Sequence, residues 1–175
     1  MILGLDISTS KVGLAILNEK EEIILSEFLK LNSKDSLERR AQVFHKHIYH
    51  LTMGEKIDAI YVEEPFVSFQ GGSNAKTVAI LQRFNGMCCY AIYHFTGIIP
   101  TLLNANSVRS QLGIKIPRGK KNKREKKKPI IDFVLNKYPE FRIEYTKQGN
   151  PAPGTDDKCD AICLALAGPN FPLTL

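Results

Sequence analysis

The sequence predicts a mixed α/β fold, with one five-stranded sheet of three antiparallel and two parallel strands flanked by helices. Three β-prone runs follow one another at the N-terminus, later strands alternate with helical patterns, and the chain closes on an apolar helix. We find no internal repeat and no interior linker. We therefore predict a single domain over residues 1–175, with a basic loop at about 114–128.

The first half of the predicted sheet is a meander. Residues 1–7 and 12–18 are apolar runs separated by Ser-Thr-Ser-Lys, a spacing that suits a hairpin, and residues 22–31 form the third strand. A helix is predicted over residues 37–51, because apolar residues recur there at steps of four and three, on one helix face. Gly54 then ends this helix.

The second half alternates strands and helices. Residues 57–64 form a short apolar strand stopped by Pro65, and residues 77–96 carry a long helical pattern with two apolar ridges. A further strand over 97–102 contains Pro100, which fits best at a sheet edge. The remaining helices are predicted at 107–112, at 129–137 with Pro129 in the first turn, and at 155–167 with Thr155 as the cap.

Composition argues against membrane-spanning and secreted classes. No stretch is long and apolar enough to cross a bilayer, and the N-terminus lacks the pattern of a secretion signal. We expect a cytoplasmic protein of a bacterial cell or a phage-infected host, with no membrane partner. The cysteines lack zinc-finger spacing and are expected to be buried reduced thiols: Cys88, Cys89, Cys159 and Cys163.

The net charge of +6 is unevenly distributed. Between Lys115 and Lys128 the chain carries nine Lys or Arg residues and one Glu, whereas the rest is slightly acidic. Such a cluster indicates a polyanionic partner, and a plain solvated loop is the alternative. The residues that we expect to bind DNA phosphates here are Lys115, Arg118, Lys120, Lys121, Lys123, Arg124, Lys126 and Lys128.

Four acidic residues occupy unusual positions. Asp6 lies inside the first apolar strand, Glu63 is near the end of the fourth, and Asp157 and Asp160 share one face of the last helix. Clustered carboxylates raise each other's pKa, and removing them from water is costly unless they are paired or bound to a metal. Mg²⁺ or Mn²⁺ would relieve both costs. We predict that these residues hold two such ions for phosphodiester hydrolysis.

Each acidic position has a structural alternative. Asp6 alone would also suit a turn, Glu63 a solvated strand end, and the helix aspartates the positive end of a helix. Glu64 beside Glu63 leaves a one-residue ambiguity, since adjacent strand residues face opposite ways, and Asp156 beside Asp157 leaves a similar ambiguity on the last helix. The order of the set along the chain is more informative than any one member.

Three short blocks resemble the acidic motifs of RuvC-type Holliday junction resolvases, which are RNase H-like nucleases. The blocks are GLDISTSKVGLAIL, YVEEPF and DDKCDAICLALA, and the resemblance spans residues 4–167. It implies an RNase H-like fold and a metal-dependent active site. The catalytic and metal-binding residues that it implies are Asp6, Glu63, Asp157 and Asp160.

The same resemblance assigns further roles. Lys127 resembles the family's catalytic-region lysine and is expected to be catalytic, and Arg109 falls where another DNA-binding basic residue is expected. Phe66 and Phe69, in a polar loop, are candidates for stacking on DNA bases. The chain departs from the family at Ser8, where a glycine is usual, and in its longer basic segment.

The function implied is a structure-selective DNA endonuclease, acting as a homodimer on branched DNA and especially on four-way junctions. Its class is crossover junction endodeoxyribonuclease. One alternative is an RNase H-like nuclease acting on RNA–DNA hybrids or on broader branched DNA. Others are a sugar-kinase or actin-like ATPase, which usually needs far more chain, and a non-catalytic nucleic-acid-binding module. A second metal site at His45, His47 and His50 is considered, although such helical clusters are more often solvated.

Overall fold

The computed structural model describes residues 1–65, 75–117 and 123–172. Within them, five strands form one sheet in the order β3-β2-β1-β4-β5. The strands are β1 (Ile2–Ile7), β2 (Lys11–Leu17), β3 (Ile23–Lys30), β4 (Ala59–Glu63) and β5 (Thr101–Leu103). β1 to β3 are antiparallel neighbours, while β1, β4 and β5 run parallel. The predicted mixed sheet is confirmed.

Helices cover both faces of this sheet. They are α1 (Leu37–Thr52), α2 (Ala75–Thr96), α3 (Ala105–Gln111), α4 (Lys123–Lys137) and α5 (Thr155–Ala167), and a 3₁₀ turn follows at Gly168–Asn170. Among the helices described, none combines the length and the hydropathy needed to cross a membrane.

The sheet divides the core into two layers. Alternate residues of a strand face opposite sides, so Leu14 and Ile16 of β2 pack with the α1 and α2 side, including Phe44 and Phe84. Ala15, between them, packs with the α4 and α5 side. Every residue from Cys159 to Ala167 except the buried polar Asp160 is a buried apolar residue, which makes α5 the central helix of its layer.

Two glycines let α5 lie directly on the strand backbones. A Cβ atom on Gly13 would lie 2.0 Å from the carbonyl oxygen of Asp157, and one on Gly4 would lie 2.1 Å from that of Ala161. No side chain fits at either distance, so β1 and β2 contact the helix through bare backbone. This close approach carries the acidic first turns of α5 to the strand end that bears Asp6.

The start of α4 differs from the prediction. The helix begins at Lys123, six residues before Pro129, so residues 123–128 of the predicted basic loop 114–128 are helical. Lysine, arginine and glutamate favour helix, and α4 accommodates Pro129 in its interior despite the lost N–H donor and the clash of the ring with the carbonyl four residues earlier. Residues 118–122 of that loop lie outside the described part of the chain.

Two smaller boundaries also differ. The predicted strand 97–102 is shorter and later, because β5 starts only after Pro100; it is an edge strand, as predicted. The residue that caps α5 is Gly154 rather than Thr155. Gly154 has a φ of 91°, a left-handed conformation that favours glycine, and a Cβ there would meet the ring of Phe28.

Candidate active site

The predicted carboxylates meet where β1 and β4 end against α5. β1 and β4 are parallel neighbours in which Leu5 pairs with Val62, so the next residues, Asp6 and Glu63, lie side by side. Asp157 and Asp160, on the first turns of α5, are close enough to act electrostatically on Asp6. Tertiary packing thus brings all four predicted site residues to one end of the sheet, where Glu63, Asp157 and Asp160 act electrostatically on Asp6.

Asp6 is desolvated and surrounded by three other carboxylates. Removal from water raises its pKa well above the ordinary value, and the charges of Glu63, Asp160 and Asp157 add to the rise. Lys127 opposes this effect without cancelling it. Among the described residues, neither the Asp6 nor the Glu63 carboxylate has a hydrogen bond or an ion pair.

Glu63, rather than Glu64, faces the site. Desolvation raises the pKa of Glu63 to about 7, and Asp160 adds to the rise, whereas Arg109 and Lys127 act against it. Glu64 is exposed, and its backbone N–H is bound to β5. The one-residue ambiguity on β4 is therefore resolved by the direction in which the two side chains point.

Two lysines from other elements contact carboxylates in the first turn of α5. Lys11, the first residue of β2, places its Nζ 2.6 Å from Oδ2 of Asp157 and 3.9 Å from Oδ2 of Asp156. Lys127 of α4 donates a hydrogen bond to Asp156. Burial favours a lower pKa for Lys127, but this hydrogen bond and the surrounding carboxylates raise it overall, so its side chain stays an ammonium ion. Asp156 thus holds Lys127 at the site.

Arg109 supplies a third cation, from α3. Its Nη2 lies 3.4 Å from Oδ1 of Asp160. Desolvation raises the pKa of Asp160, and Arg109 and Lys127 limit the rise. Arg109 was predicted as a DNA-binding residue, and the structure places it against the carboxylate cluster.

Lys11 and the role of Asp156 were missed by sequence reasoning. The available signal was local: Lys11 follows Asp6 by five residues and lies in the hairpin turn that must bring β2 back beside β1. Its partner Asp157 is 146 residues away, and nothing in the hairpin sequence points to it.

The donor set fits an oxygen-preferring divalent ion. Asp6 and Glu63 offer carboxylate oxygens that lack any hydrogen-bonded or ionic partner among the described residues, which suits Mg²⁺ or Mn²⁺. In the same part of the chain, no three His, Cys, Asp or Glu side chains are close enough to enclose an ion. Cations already occupy Asp157 and Asp160. Asp6 and Glu63 are therefore the two carboxylates that an ion would bind without first displacing a cationic side chain of the described residues.

The histidines of α1 have other contacts. The ring of His45 packs 4.4 Å from that of Phe95, and Nε2 of His47 lies 2.9 Å from Oε2 of Glu27. These contacts engage both imidazole rings and argue against a metal site on α1. The cysteines form no disulfide, and three of them are buried, Cys89 being half-buried.

The predicted DNA-binding residues are only partly described. Phe66, Phe69, Arg118, Lys120 and Lys121 lie outside the described residues. Lys123 and Arg124 belong to the first turn of α4, where only the backbone is described. Lys115, Lys126 and Lys128 are exposed, and Lys128 pairs with Asp132 at 2.5 Å.

The sheet order and the flanking helices define an RNase H-like fold. No protein-family model and no curated protein matches the chain. Solved structures do match it. RuvC of Thermus thermophilus in complex with a Holliday junction substrate has a TM-score of 0.68 at 16% identity, covering 95% of this chain and 90% of that one.

Two further structures agree. A second Thermus thermophilus RuvC structure has a TM-score of 0.63 at 16% identity, covering 95% of this chain and 91% of that one. The yeast mitochondrial Holliday junction resolvase Ydc2 has a TM-score of 0.51 at 18% identity, covering 94% and 75%. The predicted resemblance to RuvC-like resolvases is confirmed at the level of the fold.

Proposed function

We propose that the protein is a metal-dependent DNA endonuclease that resolves four-way junctions. The observation that carries the proposal is the position of Asp6 and Glu63, side by side without partners among the described residues, facing two further aspartates of α5. This arrangement lies in a chain whose fold matches RuvC over 95% of its length.

The chain's own groups have distinct tasks in this proposal. Asp6, Glu63, Asp157 and Asp160 would hold Mg²⁺ or Mn²⁺, two ions per site. Such ions supply activation of water and stabilisation of the leaving oxygen in phosphodiester hydrolysis. Lys127, held by Asp156, places a fixed positive charge beside the cluster. That charge would stabilise the extra negative charge of the phosphate in the transition state.

Branched DNA is the proposed partner. The RuvC structure with the higher TM-score is a complex with a Holliday junction substrate. In this chain the exposed Lys115, Lys126 and Lys128 lie in a segment of concentrated positive charge that suits the phosphate backbone. Positive charge of this kind supplies affinity, whereas selection of a junction requires the geometry of the whole complex.

A homodimer is part of the proposal, because resolving a junction needs a nick in each of two strands. The surface that we propose for the interface lies on α2, where Tyr90 and Tyr93 are 69% and 50% exposed. Large exposed aromatic side chains are typical of interfaces. Sedimentation at micromolar concentration, with and without DNA, tests this part separately; monomer under both conditions would contradict it.

The experiment offers the purified chain a four-way junction, a flap, a plain duplex and an RNA–DNA hybrid, each with Mg²⁺, Mn²⁺ or EDTA. We expect paired, symmetric cuts in the junction with either ion, none with EDTA, and 5′-phosphate and 3′-hydroxyl ends. Faster cutting of the hybrid than of the junction would support the RNase H-like alternative. Tight binding without cutting under every condition would support a non-catalytic module.

A further inference from the structure

The ammonium group of Lys11 is hydrogen-bonded to a carboxylate oxygen that the proposed metal site needs. Its Nζ lies 2.6 Å from Oδ2 of Asp157, a residue that is only 4% exposed. The second carboxylate in reach, that of Asp156, is 3.9 Å away. At 2.6 Å the pair is a charge-assisted hydrogen bond, and it neutralises a carboxylate that would otherwise be buried with its full charge.

The site is therefore electrostatically asymmetric. On the α5 side, each acidic side chain of the first turns is paired with a cation: Asp156 with Lys127, Asp157 with Lys11, and Asp160 with Arg109. On the strand side, among the described residues, neither Asp6 nor Glu63 has such a partner. A first divalent ion is attracted to the strand side, while the α5 side is already neutralised.

The backbone of Lys11 is fixed, but its side chain is free to leave. The N–H and the hydroxyl of Ser8 both donate to the carbonyl oxygen of Lys11 at 2.9 Å, which closes the hairpin turn. Gly13, two residues on, lies against the backbone of Asp157. The lysine side chain itself is 30% exposed and has a flexible four-carbon stem, so its ammonium can swing into water without moving either strand.

We propose that Lys11 is a positioning residue that acts as the internal counter-ion of Asp157, holding the α5 side of the site until a second divalent ion takes its place. The inference rests on the proposed function and adds an order of filling, from the strand side to the α5 side. It also explains how Asp157 stays buried beside three further acidic residues when no ion is bound.

The first test is a calorimetric titration of Mn²⁺ into the full chain. In Lys11→Met we expect the weaker binding event to tighten roughly five- to thirtyfold, because the ion no longer competes with an ammonium group in contact with the carboxylate. The tighter event should change less than about twofold. Lys11→Arg should keep the wild-type titration curve, because a guanidinium group also pairs with Asp157.

Lys30→Met is the matched control. Lys30 is the partner of Lys11 across the β2–β3 pair and is exposed, so this variant loses the same charge from the neighbouring strand. It should bind Mn²⁺ as the wild type does. Equal titration curves for Lys11→Met and Lys30→Met, both different from or both identical to the wild type, would overturn the inference.

A second measurement uses the unaltered chain and so does not depend on how a variant folds. Lysines are acetylated briefly with and without saturating Mg²⁺, and the labelled peptides are quantified by mass spectrometry. We expect the labelling of Lys11 to rise severalfold with Mg²⁺ and that of Lys30 to stay constant. If the wild type binds Mn²⁺ and cuts junctions while Lys11 labelling does not change, only this inference fails. If the wild type binds no Mn²⁺, the proposed function fails with it.

Discussion

Asp6 and Glu63 lie side by side at the ends of two parallel strands, and neither carboxylate has a hydrogen-bonded or ionic partner among residues 1–65, 75–117 and 123–172. Carboxylates arranged in this way destabilise the metal-free fold, because each is desolvated and repels the other. The arrangement is understandable if the pair serves to bind a cation. The site can therefore be tested by measuring the free energy of unfolding as well as the rate of cleavage.

The first prediction concerns the pH dependence of stability. The pKa of Glu63 is about 7 in the folded chain against an ordinary 4.5, so the folded state binds this proton more tightly than the unfolded state does. Ionising Glu63 therefore costs stability as pH rises from about 4.5 to above 7. In EDTA, Glu63→Gln should exceed the wild type in free energy of unfolding by about 1–3 kcal/mol at pH 8 and by much less at pH 5.

Urea denaturation at the two pH values measures this difference. Glu64→Gln is the matched control, since Glu64 is the adjacent, exposed glutamate that points away from the cluster. The free energy of unfolding of Glu64→Gln should show no such pH-dependent gain over the wild type. A Glu63→Gln variant that is less stable than the wild type at pH 8 would show that Glu63 has a stabilising partner.

The second prediction concerns cleavage. Asp6→Asn, Glu63→Gln, Asp157→Asn and Asp160→Asn should each reduce metal-dependent cutting of a four-way junction by roughly a hundredfold or more, because each removes a charged oxygen that we propose as a metal ligand. Junction binding, measured by gel shift in Ca²⁺ or EDTA, should survive. Glu64→Gln should cut at the wild-type rate. Wild-type cutting by two or more of the four variants would contradict the assignment of the site.

The third prediction concerns Lys127. Its ammonium is held by Asp156 beside the carboxylates, so Lys127→Ala should slow single-turnover cleavage by roughly tenfold to a hundredfold while changing junction affinity less than about threefold. Asp156→Asn should have a smaller effect of the same kind, since Lys127 stays in place but is less firmly held. Lys126→Ala, at the exposed neighbouring position, is the control and should affect binding more than rate. The reverse pattern would make Lys127 a binding residue only.

The fourth prediction concerns the basic segment. If roughly four to six of its charges meet phosphates, the logarithm of the binding constant should fall with the logarithm of salt concentration by about 0.9 per contact. A fourfold serine variant should flatten this slope by about two to four units, and junction and duplex binding should weaken together. The residues replaced are Lys120, Lys121, Lys123 and Arg124.

The control for that experiment removes the same charge elsewhere. It replaces four exposed lysines outside the segment with serine: Lys20, Lys34, Lys46 and Lys56. This variant should keep most of the wild-type salt slope, because long-range charge changes affect the slope less than direct phosphate contacts do. Equal slopes for the wild type and the basic-segment variant would show that the segment does not touch DNA.

The fifth prediction concerns the contact that positions α5. Gly13→Ala places a methyl group 2.0 Å from the carbonyl oxygen of Asp157, so the helix must move away from β2. We expect a loss of about 2–4 kcal/mol in the free energy of unfolding and a loss of cleavage. Gly86→Ala in α2, where nothing lies within 4 Å of the new methyl group, should be neutral or stabilising by about 1 kcal/mol. Thermal denaturation compares the two, and equal stability would contradict the close packing of α5.

The sequence by itself determined most of the elements and indicated the acidic cluster, leaving open the choice within the neighbouring pairs at 63–64 and 156–157. Apolar alternation and helical periodicity are local properties, so the strands and most helices were predictable to within a few residues. Asp6 and Glu63 stood out because charged residues are rare within or at the end of apolar strands, and Asp157 and Asp160 because their spacing gives a shared helix face. The order of these residues along the chain also indicated the resolvase fold.

Only the tertiary structure decided which side chains meet. The choice of Glu63 over Glu64, the pairing of Asp156 with Lys127, and the placement of Arg109 all depend on how elements distant in sequence pack. Lys11 and Asp157 are separated by 146 residues and meet because Gly13 allows α5 to rest on the hairpin backbone. A local sequence pattern reflects the preference of its own segment for helix or strand. These contacts instead arise from the close packing of segments that are distant in sequence, so no local pattern predicts them.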